Sequence, residues 1–301
     1  MTQTFAGICP LPHLGVIRAQ GADAAAFLHG QLSQDFVLLG PQQARLAAFC
    51  NAKGRMQASF IGIKSDPETV LLVCSRDLLA RTLQRLSMFV LRAKCKLTDA
   101  SADFQLWGLA GDAVPSDLTT TPWAVHTQQA AHTIALYPAQ GQARALWLAP
   151  LDSPAPVGPA VELATWQWGE VVAGVATVSA AVYEQLVPQM LNYESVGGIN
   201  FKKGCYPGQE VVARSQFRGT LKRRAYVVLA DGPVQAGQEV LRSDDPEQPA
   251  GIVVQAAPVP GQALQWAAIV AIQTSAAEHQ LQANGGALHV QPLPYPLLSD
   301  I

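Results

Sequence analysis

The residue best placed to do chemistry in this chain is a cysteine set among cations, Cys205 in the stretch NFKKGCYPGQEVVARSQFRG, residues 200–219. Lys202, Lys203 and Gly204 precede it, and Tyr206, Pro207 and Gly208 lead into Gln209 to Arg214, which read as the first turns of a helix. Ammonium groups beside a thiol and a helix N-terminus just beyond it both favour the thiolate, so the setting predicts a lowered thiol pKa and a reactive or contact-making sulfur. The competing reading is a small apolar side chain packed beneath its loop, as free cysteines commonly are. In the first reading Cys205 is the functional thiol and Lys203 and Arg214 tune it or hold an anion. Gly204 and Gly208 then permit backbone conformations that a side chain would disfavour. Gln209 and Glu210 occupy the first helical turn, where Glu210 complements the helix dipole.

Charge concentrates around this cysteine. Lys202, Lys203, Arg214, Arg218, Lys222, Arg223 and Arg224 make seven of the chain's 20 basic residues against one acid, Glu210, a local charge of +6. Because the formal net charge is −2, the remainder carries −8. The segment reads either as a surface facing an anion or as a solvated cationic face. Of the 5 cysteines, Cys50, Cys74 and Cys95 stand in apolar or strand-like settings that predict core packing, and Cys9 has no assignment. No C-x-x-C pair occurs, and His29 and His126 each lack a second ligand at suitable spacing, so no metal site is expected.

The elements that must position Cys205 follow from hydrophobic patterning. LGVIRAQG (14–21) predicts a strand, and Asp23 is expected to cap the helix AAAFLHGQLSQD. NAKG (51–54) between two apolar runs predicts a hairpin, and TVLLVC (69–74) a short buried strand. Leu78, Leu79, Leu83, Leu86, Phe89 and Val90 recur at helical spacing behind Asp77, read as a second cap. Strand-like pieces at FQLWGLA, HTIALYP and ALWLA follow, then a Pro/Gly-rich connection at 149–160 and the helix VELATWQWGEVVAGV. Beyond Gly219, five short apolar runs separated by turn signals predict a small β-barrel. The fold class is thus α+β, with a larger domain at 1–218, a subdomain boundary near 95–105, and a C-terminal barrel at 219–301.

The octapeptide KGCYPGQE (203–210) resembles the signature of the YgfZ-type folate-binding proteins, a branch of the superfamily that contains the glycine-cleavage aminomethyltransferase. LVPQMLNYESVGGINFK before it, VVARSQFRGTLKRRA after it, GADAAAFLHGQLSQD near the start and AKGR at 52–55 are similar to the same family. The resemblance implies two intertwined α+β subdomains and a C-terminal barrel around a channel for tetrahydrofolate or a derivative. It also implies a part in assembly or repair of iron-sulfur proteins, among them radical enzymes that modify tRNA, with folate and iron-sulfur client or assembly proteins as partners.

A pterin suits aromatic or apolar walls with a few polar groups. Trp166 and Trp168 are the stacking candidates, and two residues apart on a helix they point to different sides; family analogy favours Trp166. Tyr193, Glu194 and Tyr206 are assigned edge contacts and Asn192 a hydrogen bond to the pterin.

Two other functions compete. Aminomethyl transfer needs a carboxylate beside the folate nitrogen, and after TVLLVC the chain offers only Asp77, too early and better suited to capping; the aminomethyltransferases also lack the KGCY cysteine, so a one-carbon transferase of that type is not expected. RNA binding through 202–224 has interleaved Tyr206, Phe217 and Tyr226, but the stripe is short and the whole molecule is slightly acidic, which makes nucleic acid unlikely as primary partner. The N-terminus lacks a cationic segment followed by an apolar core, and no stretch approaches the roughly 18 apolar residues that span a bilayer. A cytoplasmic protein without stable membrane association is expected.

Overall fold

Alternating and continuous apolar runs in the first third of the chain pair into one antiparallel sheet. Its strands are β2 (Leu14–Gln20), β3 (Ala44–Cys50), β4 (Met56–Asp66), β5 (Thr69–Ser75) and β6 (Lys96–Asp99), in the order β3-β4-β5-β2-β6. The structure is a computed structural model that describes residues 5–217 and 221–298. The NAKG hairpin closes between β3 and β4, where Asn51 Oδ1 accepts the N–H groups of Lys53 and Arg55 at 2.9 and 3.1 Å and Gly54 takes φ +71°. Helices α1 (Ala24–Gln31) and α2 (Arg76–Ser87) cover one face of the sheet, burying Phe27, Leu28, Leu79 and Leu86 against Ile17 and Leu72.

Neither helix is capped as expected. Asp23 stands at the N-cap position of α1, but its carboxylate accepts the backbone N–H of Lys94 instead. At α2 the N-cap position belongs to Ser75; Asp77 is the second helical residue, accepts the Ser75 hydroxyl at 2.6 Å, and accepts the backbone N–H of Ala180 at 2.9 Å.

The second sheet comprises β1 (Gly7–Pro10), β7 (Phe104–Ala110), β8 (Val125–Gln128), β9 (Ala131–Ala139) and β10 (Gln142–Pro150), in the order β1-β7-β10-β9-β8. Strand β1 precedes the whole first sheet in sequence yet pairs with β7 in the second, so the two α+β units are interleaved. Helix α3 (Leu163–Val172) packs on the second sheet and on the barrel. After helix α4 (Gln209–Phe217) comes a closed antiparallel barrel of β11 (Arg223–Ala230), β12 (Glu239–Arg242), β13 (Asp245–Pro258), β14 (Trp266–Gln273), β15 (Leu281–Ala283) and β16 (Gly286–Gln291).

The expected α+β fold with a C-terminal barrel is the fold observed. Four strands were unforeseen, β1, β6, β8 and β15, each only three or four residues long and too short to register as a periodic run. The largest buried cluster joins all three bodies: Leu46 and Val73 from the first sheet, Leu146 and Leu148 from the second, Val171 of α3, and Ile269 and Ala271 of the barrel. Among the described residues no helix is long and apolar enough to cross a membrane.

Candidate functional site

Between the two sheets lies a mostly apolar cavity with about 60 Å³ of open space. The first sheet supplies Leu14, Leu46, Ile61 and Val73, the second Leu136, Tyr137, Arg144 and Leu146; α3 adds Trp166 and Glu170, and Trp123 closes one side. Trp123 is held at φ +71°, an uncommon backbone for a bulky residue, and its indole N–H donates to Val196 O at 2.9 Å.

Among the described residues the only formal charges in this lining are Arg144 and Glu170. Arg144 is 5% exposed, donates to Tyr137 O at a long 3.5 Å, and leaves its buried Nε without a partner. Burial pushes its guanidinium down to about 10, with the Glu170 charge pulling the other way, so it remains a cation at neutral pH. Glu170 accepts the indole N–H of Trp166 at 2.9 Å, faces His13 Nε2 at 3.2 Å, and accepts Gln255 of the barrel at 3.2 Å. Burial raises the Glu170 carboxyl, but the His13 contact, the Arg144 charge and the Trp166 N–H outweigh it and hold the group below the usual carboxylate range.

Trp166 lines the cavity and Trp168 does not; the latter meets Phe5 edge-on at 5.7 Å. The Trp166 indole is closely packed within that lining: a Cβ added at Gly108 would lie 2.6 Å from it, and the Arg144 guanidinium sits 4.5 Å from its ring centre. Through these contacts and its N–H to Glu170, Trp166 touches both charges of the cavity. The lining also contains the aromatic residues Phe60, Trp123 and Tyr137, the last two meeting edge-on at 5.9 Å.

None of Asn192, Tyr193, Glu194 and Tyr206 lines the cavity. Asn192, at φ +57°, sends its amide to Ala225 O at 2.9 Å and to the Tyr295 hydroxyl, which donates to Gly174 O at 2.7 Å. The Tyr193 hydroxyl donates to Ala176 O at 2.6 Å. These two residues thus brace the segment 174–177, which forms one wall, from behind. Burial pushes the Tyr193 hydroxyl pKa up. Glu194 is paired with Arg224 of β11 at 2.7 Å. Asp77, the carboxylate weighed for one-carbon transfer, is also absent from the lining, being held by Ser75 and Ala180.

The signature segment lies elsewhere, clamped between the C-terminal end of α1 and the NAKG turn. Lys203 is buried, and its ammonium donates to the carbonyls of His29 and Leu32 (2.7 Å to Leu32), where a helix C-terminus favours a cation. It also sits 4.6 Å from the centre of the buried Tyr206 ring. Burial pushes the Lys203 ammonium down to about 8, while Asp35 and Cys205 act to raise it. Lys203 thus fastens the loop to α1, which corrects its assignment as the holder of an external anion.

Gly208, at φ +80°, presses on the NAKG turn; a Cβ there would meet Asn51 O and lie 2.7 Å from Gly54 Cα. Gly204 has no such need, since its Cβ would meet only His29 Nε2 at 3.4 Å. Cys205 is exposed, and it is not among the residues that line the cavity. The packed-cysteine reading is excluded, and so is a thiol that faces the cavity. Gln209 and Glu210 open α4, and Arg214 is exposed in its last turn.

The basic segment does not form one anion-facing surface. Lys203 and Arg224 turn inward onto protein partners, Lys202, Arg214 and Lys222 face solvent, and Arg218 lies outside the described residues. Cys50 and Cys74 are buried, burial pushing both thiols up to about 12; Cys9 is buried in β1, and Cys95 is half-buried. Among the described residues no group of three or more His, Cys, Asp or Glu is placed to hold a metal.

The sequence reading missed both Arg144 and Glu170. Glu170 left a signal, standing four residues after Trp166 on the same helical face. Arg144, in a strand with polar neighbours on its N-terminal side, looks like any surface cation.

No protein-family model matches the chain. The chain is 30% identical over 305 residues to the tRNA-modifying protein YgfZ of Sodalis glossinidius, spanning 94% of this chain and 90% of that protein. It is 30% identical over 307 residues to the tRNA-modifying protein YgfZ of Yersinia pestis strain Pestoides F, spanning 95% and 91%. Its fold matches the crystal structure of the glycine cleavage system aminomethyltransferase T of Bartonella henselae with a TM-score of 0.72 at 17% identity, covering 98% of this chain and 87% of that one. With the YgfZ likeness running nearly end to end, the chain belongs to the YgfZ family.

Proposed function

We propose that the chain binds a reduced folate in the cavity between its two sheets and acts, through the exposed Cys205 loop, in the assembly or repair of iron-sulfur proteins, including enzymes that modify tRNA. The observation that carries the folate part is the pair of buried charges in one apolar cavity. A pterin presents adjacent N–H donors and a carbonyl on one edge. Glu170 can accept from the donors, Tyr137 and Trp123 offer aromatic surface, and Arg144, whose buried Nε has no partner, lines the same space. The cavity is narrow, so entry of a ring system must part the side chains that line it. The family and its tRNA-modifying relatives support the link to tRNA modification.

Tetrahydrofolate titrated into the protein should quench its tryptophan fluorescence saturably and raise its melting temperature. Glu170→Gln should weaken that binding roughly 10-fold or more, the worth of a hydrogen bond to a charged partner. A wild-type protein that tetrahydrofolate neither quenches nor stabilises would sink the folate reading. The thiol is tested separately. Because Cys205 is exposed, Cys205→Ala should melt with the wild type and still bind tetrahydrofolate, yet lose complementation of an iron-sulfur defect. Full complementation by that variant would remove the sulfur from the function.

A further inference from the structure

We propose that the layer formed by α1 and the turn that follows α2 is a docking face for an acidic segment of a partner protein, with the Cys205 loop at its far end. The proposal rests on the iron-sulfur reading of Cys205 and adds the surface that brings a partner to that thiol. From Leu78 to Thr98 the chain carries five cations, Arg81, Arg85, Arg92, Lys94 and Lys96, and no acid. Arg81 is occupied, its guanidinium 3.6 Å from the centre of the Tyr183 ring. The other four are exposed, and among the described residues none makes a salt bridge. Within the same run Met88, Phe89 and Leu91 are exposed, Leu91 by 85% and Met88 by 61%. Arg85 lies against two of them, 3.8 Å from Met88 Sδ and 4.9 Å from the centre of the Phe89 ring. Large apolar side chains bared together beside unpaired cations form a patch, which marks an interaction surface more than scattered exposure does.

Helix α1 joins this patch to the thiol. At its N-terminal end Asp23 fixes the turn, its N–H donating to Lys94 O at 3.1 Å and its carboxylate accepting the Lys94 N–H at 2.7 Å. At its C-terminal end Lys203 fastens the Cys205 loop to the carbonyls of His29 and Leu32. The eight residues between span about 12 Å. Past that end Val37 and Leu38 are exposed as well, where the Leu38 N–H donates to Asp35 Oδ1 at 2.9 Å and Asp35 faces His29 Nδ1 at 3.0 Å. A face with aliphatic ends and unpaired cations suits a protein segment that sets carboxylates around apolar anchors. RNA is favoured by rings on which bases stack, and in the turn only Phe89 offers one. A bilayer is favoured by a continuous apolar stripe, which the less buried residues of α1, Ala25, Ala26, His29 and Gly30, do not provide.

Arg85→Glu/Arg92→Glu and Leu91→Ser alter exposed side chains, so both variants should melt within a few degrees of the wild type and bind tetrahydrofolate as it does. Three purified probes separate the occupants: the apo form of an iron-sulfur enzyme that modifies tRNA, an unmodified tRNA, and vesicles containing phosphatidylglycerol. The enzyme should bind the wild type in a salt-sensitive manner and slow hydrogen exchange across residues 85–96. It should bind the double variant roughly 10-fold or more weakly and Leu91→Ser about 3- to 10-fold more weakly, and both variants should lose complementation of an iron-sulfur defect. A wild-type protein that does not bind the enzyme, variants that bind it as the wild type does, or a loss confined to tRNA or to vesicles would overturn the docking face. Full complementation by both face variants while Cys205→Ala fails to complement would remove the docking face alone. Full complementation by Cys205→Ala would remove the iron-sulfur reading and this proposal with it.

Discussion

Gly208→Ala is expected to lower the melting temperature by roughly 5–15 °C, corresponding to about 2–4 kcal/mol in a protein of this size. Two penalties add. The backbone at Gly208 has φ +80°, where a residue with a Cβ is disfavoured by about 1–2 kcal/mol. The new methyl group must also push against backbone rather than a yielding side chain, since its neighbours are Asn51 O and the N and Cα of Gly54 at 2.8 and 2.7 Å. Gly54 is itself at φ +71° with Val211 beside it, so the turn has little room to retreat. Gly204→Ala in the same octapeptide is the control, because its Cβ would meet only His29 Nε2 at 3.4 Å; it should stay within about 0.5 kcal/mol of wild type. If both alanine variants melt like the wild type, the contact between the signature segment and the NAKG turn is not what fixes Gly208.

Arg224→Ala should destabilise the fold by about 3–5 kcal/mol, the usual loss when one member of a buried ion pair is removed. The Glu194 side chain is fully buried, and Arg224 Nη1 lies 2.7 Å from Glu194 Oε1. Without the guanidinium that oxygen keeps only the Ser195 hydroxyl at 3.1 Å, and Oε2 has no partner. Most of the loss is the energy of a stranded carboxylate, so adding Glu194→Gln should restore much of the stability, and a double-mutant cycle followed by urea unfolding measures that coupling. Equal stability of Arg224→Ala and wild type, or no recovery in the double variant, would show that the pair does not fasten the barrel to the rest of the chain.

Much of the architecture was legible because it is local. TVLLVC and LGVIRAQG are apolar enough to be strands in any context, NAKG has the turn chemistry its hairpin requires, and the turn signals beyond Gly219 mark barrel strands. What the sequence conceals is non-local. Lys203 and Arg224 look like members of a cationic surface, and only the approach of the α1 carbonyls to one and of Glu194 to the other shows that both are structural cations. Closeness in sequence to the KGCY motif also misleads, since the left-handed Asn192 turns the 192–194 segment toward the barrel and the back of the cavity wall. Trp166 is read on the cavity side of its helix, but its close contacts with Gly108 and Arg144 join residues that are not near it in the chain.

The placement of β1 has a bearing on how the polypeptide acquires its shape during synthesis. Gly7 to Pro10 emerge from the ribosome before any strand of the first sheet, yet their partners are Trp107 to Ala110, made only after every strand of that sheet. The leading segment must therefore stay unpaired while the first sheet closes, and is seated only once β7 has been made. Loop closure over so long a span is slow relative to hairpin formation, which makes β1 docking a late step and leaves nascent chains that stall before Phe104 with an open, adhesive end.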